Sequence, residues 1–206
     1  MYVRADALVK KFNRKPVLAG VSFEVQPGQV FGIVGRNGSG KSTLLRIVGA
    51  LLSPSSGSIT HTLDGRSIEA EHLHQHIGYA APYLTLYEEF NARENLQLYA
   101  SLRGMPLGTR DCDALLDGVG LPLDRRDPIR SYSSGMKQRM KLLFAVMHRP
   151  PLLLLDEPTS NLDSDGIAAV YRLVEEGRKR GAVIIATNDA EDIRRCDATI
   201  SVEAVC

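Results

Sequence analysis

The stretch Gly35-Arg36-Asn37-Gly38-Ser39-Gly40-Lys41-Ser42-Thr43 follows the apolar run Val30-Phe31-Gly32-Ile33-Val34 and leads into Leu44-Leu45-Arg46-Ile47-Val48. That order predicts a strand, a glycine loop and a helix. From Gly35 to Gly40-Lys41-Ser42 the spacing is that of a P-loop, in which small residues let backbone N–H groups converge on a polyphosphate. Gly38 and Gly40 carry no Cβ to block that approach, and a helix beginning near Lys41 turns unpaired N–H groups and its positive dipole end toward the anion. The Lys41 ammonium is expected on the β- and γ-phosphate oxygens, and the Ser42 hydroxyl in the shell of a Mg2+ ion, backed by Thr43. A mere connecting turn needs no such set of residues. The reading is nucleotide binding by an α/β protein of the P-loop NTPase class.

Composition sets the outer limits. At 206 residues and 44% hydrophobic, the sequence fits one domain, 1–206, with room for a subsidiary lobe. Lys+Arg 25 against Asp+Glu 24 leaves a formal charge of +1, so no basic surplus points to nucleic acid as a partner. Cys112, Cys196 and Cys206 are odd in number and form no CxxC pair, which suits ordinary thiols in a reducing compartment. The stretch Met1–Asp6 holds no apolar signal core, and no run approaches the ~18 apolar residues of a bilayer span. Any membrane contact is then expected to run through a partner.

Ahead of the glycine loop, Val3 to Lys10 and Val21 to Val25 read as strands punctuated by Pro16 and Pro27-Gly28, with Phe12 in the connecting loop as either a core lid or a stacking face for a base. Beyond the loop, Ser53-Pro54-Ser55-Ser56-Gly57 reads as a turn cluster and Ser58 to Leu63 as a strand entering a tight turn at Asp64-Gly65. His72, His74 and His76 alternate, which on an extended strand places them on one face; lacking a completing acid or cysteine, they read as a solvated strand entry and not as a metal site. Ile77 to Pro82 reads as a short buried strand, and helical spacing follows from Asn91 to Leu102 and from Arg110 to Val119.

Tyr132-Ser133-Ser134-Gly135-Met136-Lys137-Gln138-Arg139 opens a further helix, where local chemistry alone favours N-capping by serine over anion binding. Leu152 to Leu155 is a continuous apolar strand ending in Asp156-Glu157-Pro158, which sets two acids at the C-terminal edge of a central parallel strand. Asp156 is expected on Mg2+ and Glu157 on the attacking water, neither as a buried ion pair. A helix from Ser164 to Arg180, the strand Ala182 to Ala186 topped by Thr187-Asn188-Asp189, and a last strand Ala198 to Val202 complete the pattern, leaving little room for a regulatory extension.

With the P-loop, YSSGMKQR, LLLLDEP, SNLD and IIATND in this order, the sequence resembles the ATP-binding cassette (ABC) ATPase subunits over essentially its whole length. The resemblance implies a parallel-sheet ATP-binding core with an antiparallel β region, residues 1–82 and 150–206, and an inserted helical lobe, 83–149. It implies ATP and Mg2+ as cofactors, and a head-to-tail dimer, expected to be a homodimer. Each ATP there lies between the P-loop of one subunit and the signature Ser133, Ser134, Gly135 and Met136 of the other, which would replace the plain capping role. By position, Phe12 falls where the family stacks adenine, Ser42 and Asp156 where it handles the metal, Glu157 where it places the catalytic base, and Asp163 in the inter-subunit loop. Two positions depart: the family's glutamine is Pro82 here and its switch histidine is Asn188. Pro82 has no side-chain acceptor, whereas Asn188 keeps a neutral donor toward the γ-phosphate, so slow hydrolysis is expected.

The resemblance further implies a membrane permease as partner and a cytoplasmic location, peripheral on the inner face of the cell membrane. The methionine-bearing signature and compact length are similar to exporter cassettes, including the haem-exporter ATPase of cytochrome c maturation. The rival reading is a nucleotide-gated assembly or regulatory module with little hydrolysis. A small-molecule kinase fits the size but has no use for YSSGMKQR or SNLD.

Overall fold

An antiparallel hairpin opens the chain, Tyr2–Phe12 (β1) against Lys15–Val25 (β2), in a computed structural model that describes residues 1–203. Val30–Val34 (β3) runs through the P-loop into Lys41–Val48 (α1), and the chain then returns to the hairpin as Ser56–Leu63 (β4) and Arg66–Ser67 (β5). The result is an antiparallel sheet in the order β2-β1-β4-β5. Ile77–Ala80 (β6) starts a second layer and is followed by the helices Ala92–Leu102 (α2), Thr109–Gly118 (α3) and Ser134–Val146 (α4). Leu152–Asp156 (β7), Ser164–Arg180 (α5), Ala182–Thr187 (β8), Ala190–Arg194 (α6) and Ala198–Ser201 (β9) then complete a parallel sheet in the order β6-β7-β8-β3-β9.

The unbroken apolar run of β7 is explained by burial on both faces. Leu152 and Leu154 join a core built from α1 and the antiparallel sheet, while Leu153 and Leu155 join the core under α2 to α5. Alternate side chains of one strand thus serve two cores, which a half-exposed strand would not permit. β6 is drawn hard against the helical layer: a Cβ at Gly78 would lie 1.9 Å from the Ala145 carbonyl oxygen of α4. Asn91 starts α2 with a capping box, its side chain accepting from Glu94 N at 3.0 Å and its own N–H reaching Glu94 Oε2 at 2.8 Å.

Several expectations need correction. Phe12 is the last residue of β1 and not a loop residue, because the turn closes on Asn13 and Arg14, both at positive φ. Pro16 lies inside β2, the edge strand of its sheet, where a missing N–H costs no ladder bond. β4 begins at Ser56, ahead of the expected Ser58, so Ser56 and Gly57 are strand and not turn. The three histidines share no strand face: Leu73–Gln75 is a short 3-10 helix, buried Leu73 takes the core, and His74 Nδ1 bonds the Glu71 carbonyl at 2.7 Å. Among the described residues, no group of three or more His, Cys, Asp or Glu side chains converges as a metal site.

Cys112 is buried and Cys196 half-buried, with burial pushing the Cys196 thiol up to about 11; Cys206 lies outside the described residues. Among the described residues no helix is long and apolar enough to cross a membrane.

Candidate nucleotide site

The P-loop takes its shape from glycines where no other residue fits. Gly38 and Gly40 have φ of +80° and +108°, in the left-handed region, and a Cβ at Gly35 would meet the Val202 carbonyl at 2.3 Å and Ser39 Oγ at 2.6 Å. Arg36 and Asn37 are exposed beside them, and Ser39 is buried with an unpartnered hydroxyl. Gly40 N-caps α1 without a side-chain hydrogen bond, so the first N–H groups of the helix face the loop uncapped. Lys41, only 5% exposed, holds its ammonium 3.0 Å from the Gly35 carbonyl and 3.3 Å from that of Arg36. A compact cation is thereby fixed at the centre of the loop, with Thr43 half-buried behind it.

The end of β7 meets this loop from the neighbouring part of the sheet. Ser42 Oγ donates to Asp156 Oδ1 at 3.0 Å, and Asp156 is 2% exposed. Burial raises the Asp156 carboxyl above its ordinary range, an effect that the Ser42 hydrogen bond partly offsets. Glu157 pairs with Lys41, Oε1 to Nζ, at 3.2 Å. Glu157 is thus ion-paired to an enclosed lysine while itself 25% exposed, and buried Asp156 makes no salt bridge among the described residues. Glu157 has φ of +47°, and its N–H donates to the Ala186 carbonyl at 2.8 Å. A non-glycine residue in that region stores roughly 1–3 kcal/mol of strain, here held by the sheet edge.

The top of β8 closes the site. Asn188 is exposed and donates to Asn37 Oδ1 of the P-loop at 2.9 Å, and Thr187 Oγ1 lies 3.5 Å from Glu157 Oε2. Behind them stands a residue that sequence reasoning missed. Asp192 is fully buried and accepts at 2.9 Å from each of Thr159, Thr187 and Tyr171. It ties the loop after Glu157 to the end of β8 and to α5. Burial pushes its carboxyl up, and the bonds from Thr159 and Thr187 pull it back. The only sequence signal was an acid shortly after IIATND.

Other expected residues lie apart from the loop. Phe12 is 46% exposed at the hairpin tip, with Lys10 Nζ 5.1 Å from its ring centre. Ser133 caps α4, its Oγ accepting from Met136 N at 3.2 Å, and Gly135 faces the Asn161 carbonyl, so local capping is realised. Among the described residues, no hydrogen bond joins Ser133, Ser134, Gly135 or Met136 to the P-loop. Asp163 caps α5 through Gly166 N at 2.9 Å and holds Arg139 through both oxygens, at 2.8 and 3.0 Å. Pro82 is exposed, and its carbonyl accepts from Lys141.

The donor set suits a small hard cation. Ser42 and Asp156 present a hydroxyl and a carboxylate with no basic side chain in salt-bridge contact with Asp156 among the described residues, which leaves room for a metal that keeps its waters.

Residues 18–160 match the family described as ABC transporter. The chain is 34% identical over 203 residues, 96% of its length, to the uncharacterized ABC transporter ATP-binding protein YdbJ of Bacillus subtilis (strain 168), but spans 65% of that relative. It is 32% identical to the lantibiotic transport ATP-binding protein SrtF of Streptococcus pyogenes over 186 residues, 90% of this chain and 79% of the relative. It is 37% identical to the methionine import ATP-binding protein MetN 2 of Burkholderia mallei (strain ATCC 23344) over 197 residues, 90% of this chain and 49% of the relative. A solved ATP-binding cassette, dimeric in a post-hydrolysis state with ADP and Pi, superposes with a TM-score of 0.84 and 25% identity over 98% of this chain and 94% of its own.

Proposed function

The chain belongs to the ABC transporter family of ATP-binding proteins, and from that premise we propose that it binds ATP with Mg2+, hydrolyses it between two copies, and drives a separate membrane permease. One observation carries this reading. The Ser42–Asp156 bond and the Lys41–Glu157 pair gather phosphate cradle, metal ligand and candidate base at one sheet edge.

In the chain as it stands, Lys41 and Glu157 neutralise each other. Phosphate oxygens offer the ammonium a denser anionic partner, and its transfer to them frees the Glu157 carboxylate to take a proton from water. Mg2+, held by Ser42 and Asp156, would supply charge neutralisation for the phosphates. Asp192, accepting from Thr187 and Thr159, fixes the top of β8 and the loop after Glu157 on either side of the candidate base. The exposed N-terminal serines of α4 are proposed to meet the ATP of a second copy.

The permease contact is proposed at Pro82 to Tyr87, where Tyr83 and Tyr87 are each 50% exposed, with Phe90 just beyond the segment at 40%. A photo-crosslinker at Tyr87 is expected to reach a co-expressed membrane subunit; labelling that never does so removes this placement. The methionine-bearing signature and compact length favour an exporter-type permease as the partner. The relatives named above serve lantibiotic transport and methionine import, so direction is proposed to follow the permease.

A slower, switch-like ATPase is favoured by one further observation: Asn188 commits one of its two amide N–H donors to Asn37, and the other is a neutral donor only. Asn188→His is expected to raise steady-state phosphate release on the order of a hundredfold, because an imidazolium is a stronger donor to developing phosphate charge than an amide. Pro82→Gln should do less, since proline has set the local φ. A parent turnover already at ~1 to 100 per second, or no gain in Asn188→His, overturns the slow reading.

A further inference from the structure

A polar cluster stands beside the Ser42–Asp156 pair that the proposed mechanism leaves unused. Tyr79 aligns with Leu154 in the β6–β7 register, and strand alternation sets Leu154 and Asp156 on the same sheet face, the face covered by α1. On α1, Arg46 follows Ser42 by one helical turn and so shares its side of the helix. Its Nε donates to Tyr83 Oη at 2.9 Å, and its guanidinium carbon lies 4.3 Å from the centre of the Tyr83 ring. The Tyr79 and Tyr83 hydroxyls are in direct hydrogen-bond contact. Strand, helix and the segment after Pro82 therefore deliver two phenols and one guanidinium to the rim of one site.

We propose that Tyr79 and Tyr83, joined to each other and held by Arg46, are positioning residues for the water shell of the metal ion bound at Ser42 and Asp156. This rests on the ATP·Mg2+ reading above. A Mg2+ ion with few protein ligands keeps several waters, and polarised waters need acceptors around them. Arg46 donates only, and the Pro82 side chain offers nothing, whereas the phenol pair retains lone pairs after its Arg46 and mutual bonds are made. Tyr79 stands opposite Leu154, two residues before Asp156 on the same sheet face, so waters around a metal at Asp156 lie on the side of the phenol pair. Arg46 fixes the orientation of Tyr83, and Tyr83 that of Tyr79.

The test compares ATP affinity by calorimetry with Mg2+ present and with Mg2+ removed by chelation, in the parent, Tyr79→Phe and Tyr83→Phe. Each substitution deletes one oxygen and keeps the ring. Metal-free affinity is expected to stay unchanged, while the enhancement given by Mg2+ falls about three- to tenfold. An undiminished enhancement in both variants overturns the proposal. So does an equal loss with and without the metal, which is what a purely structural role produces. A parent that binds no ATP under either condition instead overturns the ATP reading itself, and this inference with it.

Discussion

Lys41→Ala is expected to weaken ATP binding about a hundredfold or more. The ammonium is 5% exposed and held by two loop carbonyls, so it stands desolvated before any ligand arrives. Charge-assisted bonds from such a group are about twice as strong as neutral ones, and several are lost together. The substitution also leaves Glu157 without its cation, which adds a second carboxylate charge to the site beside Asp156 and repels the phosphates further. Calorimetry with ATP and Mg2+ measures the loss, and a melting curve of the variant checks that the fold survives. Binding as tight as in the parent would falsify the P-loop assignment.

Glu157→Gln separates binding from hydrolysis. Removing the candidate base is expected to lower phosphate release by about a hundred- to ten-thousandfold. The amide matches the carboxylate in shape and keeps the N–H bond to Ala186, so the β7 edge and its +47° backbone are preserved. ATP affinity should hold or rise, because the parent's Lys41 must leave Glu157 to meet phosphate and in the variant it has no such partner to leave. With hydrolysis blocked, the ATP-bound dimer should accumulate and elute as such in ATP and Mg2+. A protein that stays monomeric at high concentration with ATP bound removes the sandwich. Unchanged phosphate release removes Glu157 as base.

Much of the fold was legible because its signals are local. The P-loop states its own geometry in glycine positions. Apolar residues at helical spacing mark a helix from Asn91, and four consecutive leucines between turn signals describe a strand buried on both faces. Asp163 caps the helix that begins at Ser164, where the 164–180 segment was expected. The histidine stretch misled because period-two spacing predicts a shared face only if the backbone is extended. A buried Leu73 at the centre of a tight 3-10 turn decided otherwise.

The sequence by itself therefore determined the ATP-binding family and most of the strands and helices in their order, and it supplied the residues proposed for phosphate and metal. Each of these is written in neighbouring residues, through backbone freedom, charge and periodicity. Tertiary structure alone decided who pairs with whom: Ser42 with Asp156, 114 positions apart, Lys41 with Glu157, Asn188 with Asn37, and Arg46 with the Tyr79–Tyr83 pair. Asp192 is the plainest case, since its three hydroxyl partners come from the loop after β7, from α5 and from β8. Such contacts depend on strand order and on which side chains the parallel sheet brings to one edge. Short-range spacing carries no record of that, because a burial partner is chosen by the packed sheet and not by its neighbours in the chain.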